Sequence, residues 1–149
     1  MATTITHRAF LVQIASMRLM IVDDHAGTRE MIRKFMTLPG VSFCECGSGE
    51  EAVQRVHDFK PHWITMDIDM PGWDGFRTTE TLRREFPSAR VIIVTAHNEP
   101  HFRQLSSAAG AIAMICKENL LAVRTIMAGK KEEACAADST GGPDAPPVR

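Results

Sequence analysis

The feature that most constrains the fold of this chain is an alternation of two hydrophobic periodicities from residue 18 onward. Short apolar runs rich in Ile and Val predict strands, and longer segments with the apolar spacing of amphipathic helices separate them. The predicted strands cover residues 18–22, 41–46, 62–67, 90–95 and 111–116. The predicted helices cover residues 28–38, 50–59, 76–86, 100–109 and 119–128. This pattern indicates the α/β class, and right-handed crossovers would wind the five βα units into a three-layer sandwich around a parallel sheet.

Residues that end or begin helices agree with these boundaries. Proline or glycine follows each predicted helix, at Pro39, Gly40, Pro61, Pro87, Gly110 and Gly129. Ser48 and Glu51 have the spacing of a capping box at the start of the second helix. Asp74 and Gly75 are interpreted as turn residues, with Gly75 tolerating a positive φ.

Length and charge exclude several classes of protein. The 149 residues suffice for about one domain with its own core. With 17 Lys and Arg against 18 Asp and Glu, the net charge is −1, so no overall basic field would draw the chain onto nucleic acid or an anionic membrane. No uncharged apolar run approaches the roughly 18 residues of a membrane span. We expect no direct binding to nucleic acid or membrane.

Composition predicts an N-terminal extension over residues 1–16, a folded domain over 17–129 and a disordered tail over 130–149. Residues 9–14 faintly resemble a signal-peptide core, but the run is short and Gln13 interrupts it. We therefore favour a ragged extension, with Met17 as an alternative start. The tail has Val148 as its only strongly apolar residue, so it cannot bury a face. It is also too short for a helix-turn-helix, so we expect the α/β unit to carry the function.

The four cysteines, at positions 44, 46, 116 and 135, are interpreted as packing residues of a protein in a reducing cytosol. Cys44 and Cys46 do not have the CxxC redox spacing. We expect their side chains on opposite faces of the second strand, which would exclude a shared metal or disulfide.

Polar side chains stand where the predicted strands end. Asp23 and Asp24 follow the first strand, Asp67 closes the third, Thr95 closes the fourth and Lys117 follows the fifth. The binding crevice of an open parallel sheet lies at the carboxyl ends of its strands. A single acidic residue after a strand, such as Asp24, is usually a helix N-cap, but the set predicts one polar site.

The chemistry of this set favours a metal and a phosphoryl group. Carboxylates at 4 Å repel by about 4 kcal/mol per pair at an effective dielectric near 20. Mg²⁺ binds through one or two carboxylates, keeps its waters and prefers phosphate oxygens as further ligands. Lys117 and Thr95 are suitable donors to an incoming phosphoryl group, and a carboxylate can itself be the nucleophile that forms an aspartyl phosphate.

These residues lie in four segments that resemble the signatures of the response-regulator receiver domain of two-component signalling. The segments are residues 21–25 (Ile-Val-Asp-Asp-His), 66–75 (Met-Asp-Ile-Asp-Met-Pro-Gly-Trp-Asp-Gly), 94–96 (Val-Thr-Ala) and 116–117 (Cys-Lys). The resemblance covers residues 17 to about 129. It implies the flavodoxin-like (βα)5 fold with strand order 2-1-3-4-5.

The resemblance also implies roles for the carboxylates. Asp67 would accept a phosphoryl group from a sensor histidine kinase or a histidine phosphotransfer protein. Asp24 would coordinate Mg²⁺ directly together with Asp67, and Asp23 would help to hold the ion through water. Asp69 would lend its backbone carbonyl to the metal.

The remaining implied properties concern phosphoryl binding and output. Thr95 and Lys117 would bind phosphoryl oxygens. The chain would be a cytoplasmic phosphoacceptor regulator rather than an enzyme, catalysing at most its own phosphoryl transfer and autodephosphorylation. It would signal to an unknown protein target through the surface of helix four, strand five and helix five, around Phe102, Met114 and Arg124. A homodimer through that surface is one arrangement that the resemblance allows.

The sequence departs from the resembled family at several positions. Met114 replaces the aromatic residue usual three positions before the lysine, and Glu118 replaces the proline usual after it. The segment from Gly110 to Leu121 is most similar to receivers that precede a helix-turn-helix domain. Asp69 and His97 hold the two variable positions that tune dephosphorylation in the family.

Other hypotheses are weaker. Asp67 and Asp69 copy the Asp-x-Asp of haloacid dehalogenase-like phosphohydrolases, but the pair follows the third strand rather than the first, and no cap domain fits. A flavin module would need a phosphate cradle where Asp23 and Asp24 stand. A pseudo-receiver that only binds partners is the main alternative. The six histidines have no metal-ligand spacing on any one element, so surface or packing roles are favoured for them.

Overall fold

A computed structural model describes residues 16–129. Five strands and five helices alternate along these residues: β1 (Arg18–Val22), α1 (Ala26–Met36), β2 (Ser42–Cys46), α2 (Gly49–Phe59), β3 (Trp63–Met66), α3 (Gly75–Glu85), β4 (Arg90–Thr95), α4 (Pro100–Ala109), β5 (Ala113–Cys116) and α5 (Leu120–Met127). The predicted tail and nearly all of the predicted N-terminal extension lie outside the described residues.

The strands form one parallel sheet in the order β2-β1-β3-β4-β5. The last residues of neighbouring strands are in register: Val22 lies opposite both Cys46 and Met66, and Thr95 lies opposite Cys116. All five carboxyl ends therefore meet at one edge of the sheet. The predicted class, layers and strand order are confirmed.

Each face of the sheet carries its own hydrophobic core, because successive strand residues point to opposite sides. On one face, Met20 and Val22 pack with residues of α2, α3 and α4 such as Val56 and Leu82. On the other face, Leu19 and Ile21 pack with residues of α1 and α5. No helix within residues 16–129 is long and apolar enough to cross a membrane.

The first helix begins and ends two residues earlier than the predicted range 28–38. His25, with φ −91° and ψ 113°, is the residue before the helix, and Thr37 returns to extended backbone with φ −67° and ψ 115°. Leu38 precedes Pro39, and the residue before a proline disfavours the helical conformation. The apolar spacing alone had predicted that the helix continues to residue 38.

The predicted helix caps are confirmed, with one difference in detail. Ser48 Oγ accepts a hydrogen bond from the Glu51 N–H at 3.1 Å. The Glu51 carboxylate reaches back to the Gly47 N–H at 2.7 Å, one residue before the partner of a standard capping box. Gly110 has the left-handed conformation, with φ 96°, directly after α4.

The expectation that Cys44 and Cys46 point to opposite faces was wrong. Their Sγ atoms lie 3.9 Å apart, and both side chains are buried in the core beneath α2. The reason is the period of two along a strand, which places residues i and i+2 on the same face. Burial, followed by the nearby Cys44 thiol, raises the pKa of Cys46, so the Cys46 thiol stays neutral, and both side chains pack in the core.

Candidate functional site

Three of the predicted site residues are held by hydrogen bonds that continue the sheet beyond its strands. The Asp23 N–H donates to the Cys46 carbonyl at 3.1 Å, and the Asp67 N–H donates to the Val22 carbonyl at 2.9 Å. The Lys117 N–H donates to the Thr95 carbonyl at 2.8 Å. The sheet thus fixes the backbone of both carboxylates and of the lysine at the same edge.

The Lys117 ammonium lies between two buried carboxylates. Its Nζ is 2.9 Å from Asp23 Oδ2 and 3.4 Å from Asp67 Oδ1. The side chains of Asp23 and Asp67 are 1% and 5% exposed, whereas that of Lys117 is 21% exposed. One cation therefore serves two buried anions and leaves a net negative crevice.

Burial disfavours the charged form of Asp67. Together with the negative charge of Asp23, it raises the pKa of Asp67 from 3.8 to about 6, although the Lys117 charge and the Ile68 N–H act in the opposite direction. Burial alone would lower the pKa of Lys117, but contact with Asp23 and the charge of Asp67 outweigh it, and this pKa is raised. At neutral pH the site holds an ionised carboxylate beside a fixed ammonium.

Asp24 and His25 form the outer side of the crevice. The His25 N–H donates to Asp23 Oδ1 at 2.9 Å, and His25 Nδ1 lies 3.0 Å from Asp24 Oδ1. Ligand atoms of Asp23, Asp24 and His25 all lie within 4.8 Å of one another. The predicted metal ligands Asp67 and Asp69 are not part of this group; Asp67 and Asp23 share contact with the Lys117 ammonium.

Two carboxylate oxygens in this group lack a hydrogen-bond donor. Asp23 Oδ2 faces the Lys117 ammonium without the alignment of a hydrogen bond, and Asp24 Oδ1 accepts none although both atoms are buried. Buried polar atoms are usually hydrogen bonded, so each exception needs an explanation. Asp23 Oδ2 already has the Lys117 ammonium at 2.9 Å, so Asp24 Oδ1 is the oxygen that an additional cation would satisfy.

Thr95, the half-buried His97 and the exposed Asp69 form the opposite side. Thr95 is buried, and its Oγ1 accepts a hydrogen bond from the His97 N–H at 3.2 Å. The His97 ring reaches Asp69, with Nε2 2.6 Å from Oδ2. The Asp69 carboxylate therefore pairs with His97 rather than pointing at the other carboxylates.

The expectation that Gly75 has a positive φ was wrong, and Gly75 supports the site in a different way. It is not among the described glycines with positive φ; in that loop, Gly72 has φ 78°. A Cβ on Gly75 would lie 2.1 Å from the Asp67 carbonyl oxygen and 2.9 Å from Ile68 Cα. Glycine is required here because α3 begins in contact with the backbone of Asp67. Asp74 caps this helix by accepting from the Arg77 N–H at 2.8 Å.

Sequence reasoning missed two side chains that hold the loops of the site. Arg29 on α1 donates to the Asp23 carbonyl at 2.7 Å and lies 3.4 Å from Glu45 on β2. Glu50 at the start of α2 accepts from the Trp73 N–H at 3.1 Å. Neither has a local signal in the sequence, because Arg29 also contacts Glu45, 16 residues away, and Glu50 acts on Trp73, 23 residues away.

An aromatic stack joins this side of the crevice to α4. The Phe102 ring lies 4.3 Å from the His97 ring, 4.1 Å from the His101 ring and 6.2 Å from the Phe76 ring. Met114 is buried in the core against which Phe102 packs. Arg124, predicted on the same surface, instead lies over the Phe35 ring of α1 at 5.7 Å, since α5 covers the other face of the sheet.

The sequence model of the response regulator receiver domain matches residues 19–126. The chain belongs to this family. Similar receiver domains occur in the transcriptional activator protein ExaE of Pseudomonas putida, 37% identical over 120 residues, and in the response regulator GacA of Pseudomonas protegens, 31% identical over 121 residues. Each alignment covers 76% of this chain, but only 56% and 57% of the two relatives. The chain thus spans little more than half the length of these curated relatives.

Solved receiver domains share the fold. A two-component response regulator of the LuxR family from Aurantimonas sp. SI85-9A1 is 30% identical, with a TM-score of 0.69 over 78% of this chain and 88% of that one. The chemotaxis protein CheY4 of Vibrio cholerae, 21% identical, has a TM-score of 0.68 over 74% of this chain and 98% of that one. Receiver domains are signalling proteins, so the family disfavours the phosphohydrolase and flavin-module hypotheses.

Proposed function

We propose that this receiver domain is a phosphoacceptor switch in which Asp67 takes a phosphoryl group from the phosphohistidine of a sensor kinase or a histidine phosphotransfer protein. The observation that carries the proposal is the buried Asp67 carboxylate beside the Lys117 ammonium, 3.4 Å away at the common edge of the sheet. An isolated structural ion pair would need neither the second carboxylate of Asp23 nor the Asp24 carboxylate beside it.

The transfer needs an ionised carboxylate and a way to hold the phosphoryl oxygens. One Asp67 oxygen would attack phosphorus and form the P–O bond, while the P–N bond to the donor imidazole breaks and that imidazole takes up a proton. Lys117 would offset the negative charge of the transferred group, and the Thr95 hydroxyl would donate to one of its oxygens. With a pKa of about 6, Asp67 is mostly ionised at neutral pH.

The acidic residues of the crevice fit Mg²⁺. The hard oxygens of Asp23 and Asp24, two of them buried without a hydrogen bond, suit a hard divalent cation. In this proposal Asp24 and Asp67 hold the ion directly, Asp23 helps through water and Asp69 contributes its backbone carbonyl. When bound, Mg²⁺ would supply positive charge that lowers the repulsion between these residues and an incoming phosphoryl group.

The first prediction is that the protein takes up one acid-labile phosphoryl group from acetyl phosphate in the presence of Mg²⁺, mapped to Asp67 by mass spectrometry. Asp67→Asn should reduce labelling by about 10²-fold or more, because an amide oxygen is a far weaker nucleophile than a carboxylate. Chelation of divalent cations should have a similar effect.

Asp69→Asn is the matched control, because it removes a carboxylate only two residues away whose side chain is exposed and paired with His97. It should retain labelling at Asp67. Undiminished labelling of Asp67→Asn would contradict the assignment of the acceptor. No labelling of the wild type by acetyl phosphate or by any phosphohistidine donor would favour the pseudo-receiver alternative.

Output would pass from Thr95 to α4 through His97. The Thr95 hydroxyl oxygen now accepts the His97 N–H, and the His97 ring stacks on Phe102 of α4. If the hydroxyl turns to donate to a phosphoryl oxygen, this hydrogen bond is lost or redirected and the stack can rearrange. Three exposed apolar side chains make the surrounding α4–β5–α5 surface suitable for a protein partner: Leu105, Ile112 and Leu121.

The second prediction is a change in hydrogen exchange over α4 and β5 when beryllofluoride and Mg²⁺ mimic the phosphoryl group. Thr95→Val should reduce that change at least about twofold, because valine has the shape of threonine but no hydroxyl to turn. The amides of α2 are the internal control and should change little. A response limited to α2 and β2 would contradict output through α4.

The partners of this proposal are a kinase or phosphotransfer protein and an unidentified protein target in the cytoplasm, with a homodimer through the same surface as a further arrangement. Because the chain spans about half the length of its curated relatives, their regulation of transcription is not transferred to it. The predicted receiver boundaries, 17–129, enclose the residues matched by the family, 19–126.

A further inference from the structure

We propose that Cys44 and Cys46 are a redox-sensitive pair, which a small organic disulfide converts to a reversible disulfide bond that loosens the backbone of Asp23. The two Sγ atoms lie 3.9 Å apart on one face of β2. The expectation that excluded such a bond had placed the side chains on opposite faces, and that premise was wrong. The pair lies outside the acidic crevice, and its oxidation requires no phosphoryl transfer.

Strand geometry allows the bond to close. Residues two apart on a strand have Cα atoms roughly 6.6 Å apart, within the range of about 4.4–6.8 Å that disulfides span. The Sγ atoms must approach from 3.9 Å to about 2.05 Å, which requires rotation of both side chains and a small shift of the backbone. A span near the upper limit strains the bond, and strained disulfides are the ones that are easily reduced again.

The reaction is a two-step thiol–disulfide exchange. The Cys44 thiol loses its proton to water, and the thiolate attacks one sulfur of the small disulfide; a new S–S bond forms, the old one breaks, and the departing thiolate takes up a proton. The Cys46 thiol then loses its proton and attacks Cys44 Sγ, which releases the second small thiol. In total the protein thiols lose two electrons and two protons, and the small disulfide gains both.

Burial makes this pair slow to react while the fold is closed. Cys44 is 4% exposed and Cys46 is fully buried, and burial raises the pKa of the Cys46 thiol. Among the described strands, β2 is an edge strand that pairs with β1 alone, and α2 covers the two sulfur atoms. A small disulfide therefore reaches Cys44 when α2 opens locally at this edge.

Two contacts connect the cysteine pair to the backbone of Asp23. The Cys46 carbonyl accepts the Asp23 N–H at 3.1 Å. Glu45, between the two cysteines, lies 3.4 Å from Arg29, and Arg29 donates to the Asp23 carbonyl at 2.7 Å. Drawing Cys46 toward Cys44 shifts both the carbonyl and Glu45. Oxidation should therefore weaken the contacts that fix Asp23 at the edge of the sheet.

The first test uses the full chain with Cys116→Ala and Cys135→Ala, which leaves Cys44 and Cys46 as its only thiols. After incubation with excess oxidised glutathione, mass spectrometry should show the loss of two hydrogens without a glutathione adduct, and dithiothreitol should restore both thiols. In the wild type, the peptide that contains both cysteines should show the same loss. Adding Cys44→Ala should allow at most a mixed disulfide. Thiols that stay reduced, or adducts alone, overturn the proposal.

The second test compares amide hydrogen exchange in the oxidised and reduced forms by NMR. The Asp23 amide should exchange at least about fivefold faster after oxidation, which is the effect of losing a typical hydrogen bond. The Lys117 amide, which donates to the Thr95 carbonyl at 2.8 Å on the other side of the sheet, is the internal control and should change little. Equal exchange of the Asp23 amide in the two forms, or an equal change at Lys117, overturns the proposed effect on Asp23.

Discussion

Replacing Gly75 by Ala is expected to lower the free energy of unfolding by about 3 kcal/mol, at the upper end of the usual cost of overpacking. The new Cβ would lie 2.1 Å from the Asp67 carbonyl oxygen and 2.9 Å from Ile68 Cα. Both are backbone atoms and cannot rotate away. The Gly75 N–H also donates to the Ile68 carbonyl at 3.0 Å, so relief would require α3 to move off the acceptor residue.

Gly27→Ala is the matched control for this substitution. Gly27 lies in the first turn of α1, and a Cβ there would meet nothing within 4 Å. Alanine should be neutral or stabilise by up to about 1 kcal/mol, because it restricts the unfolded chain and favours helix. Urea unfolding measures both variants. A Gly75→Ala protein as stable as the wild type would contradict the close packing of α3 on Asp67.

Asp67→Asn is expected to stabilise the metal-free protein at pH 7.5 by about 2–3 kcal/mol. The pKa of Asp67 is raised from 3.8 to about 6 in the folded state by burial and by the charge of Asp23. Each pKa unit corresponds to about 1.36 kcal/mol. A raised pKa means that ionisation costs stability, and this cost disappears when the acid is protonated or replaced by its neutral amide.

Because folding raises the pKa of Asp67, the direction of the pH dependence is fixed. For this group, wild-type stability is fully present below pH 4 and is lost as the pH rises through about 6. The advantage of Asp67→Asn should therefore grow from near zero at pH 4 to its full value above pH 7, in urea unfolding with chelator present. Asp69→Asn, at an exposed side chain, should stay within about 0.5 kcal/mol of the wild type throughout. An advantage independent of pH would contradict the raised pKa.

The same cost connects stability to the proposed function. A crevice that is destabilised by its own negative charge gains most from whatever supplies positive charge, so binding of a cation should stabilise the folded state. Asp67→Asn would lower that gain together with phosphoryl labelling. Stability, metal affinity and phosphoryl transfer thus depend on one electrostatic arrangement.

The sequence by itself determined the architecture and indicated three polar groups that the structure brings together. The apolar runs and helical spacing reflect periods of about 2.0 and 3.6, which are local properties, and parallel strands place their carboxyl ends at one edge. Asp23, Asp67 and Lys117 were therefore predicted to meet before any contact was known. The period of two also places Cys44 and Cys46 on one face of β2. The sequence therefore contained this information, and the expectation applied the period wrongly.

The tertiary structure decided how these groups touch. The role of Gly75 depends on the approach of α3 to the backbone of Asp67, and the pairing of Asp69 with His97 joins loops 28 residues apart. The turn before α1 places His25 beside Asp24. The helical spacing had predicted that α1 begins two residues later than it does. Such contacts depend on distances between elements and on side-chain rotamers, which packing sets and which no local period of the sequence encodes.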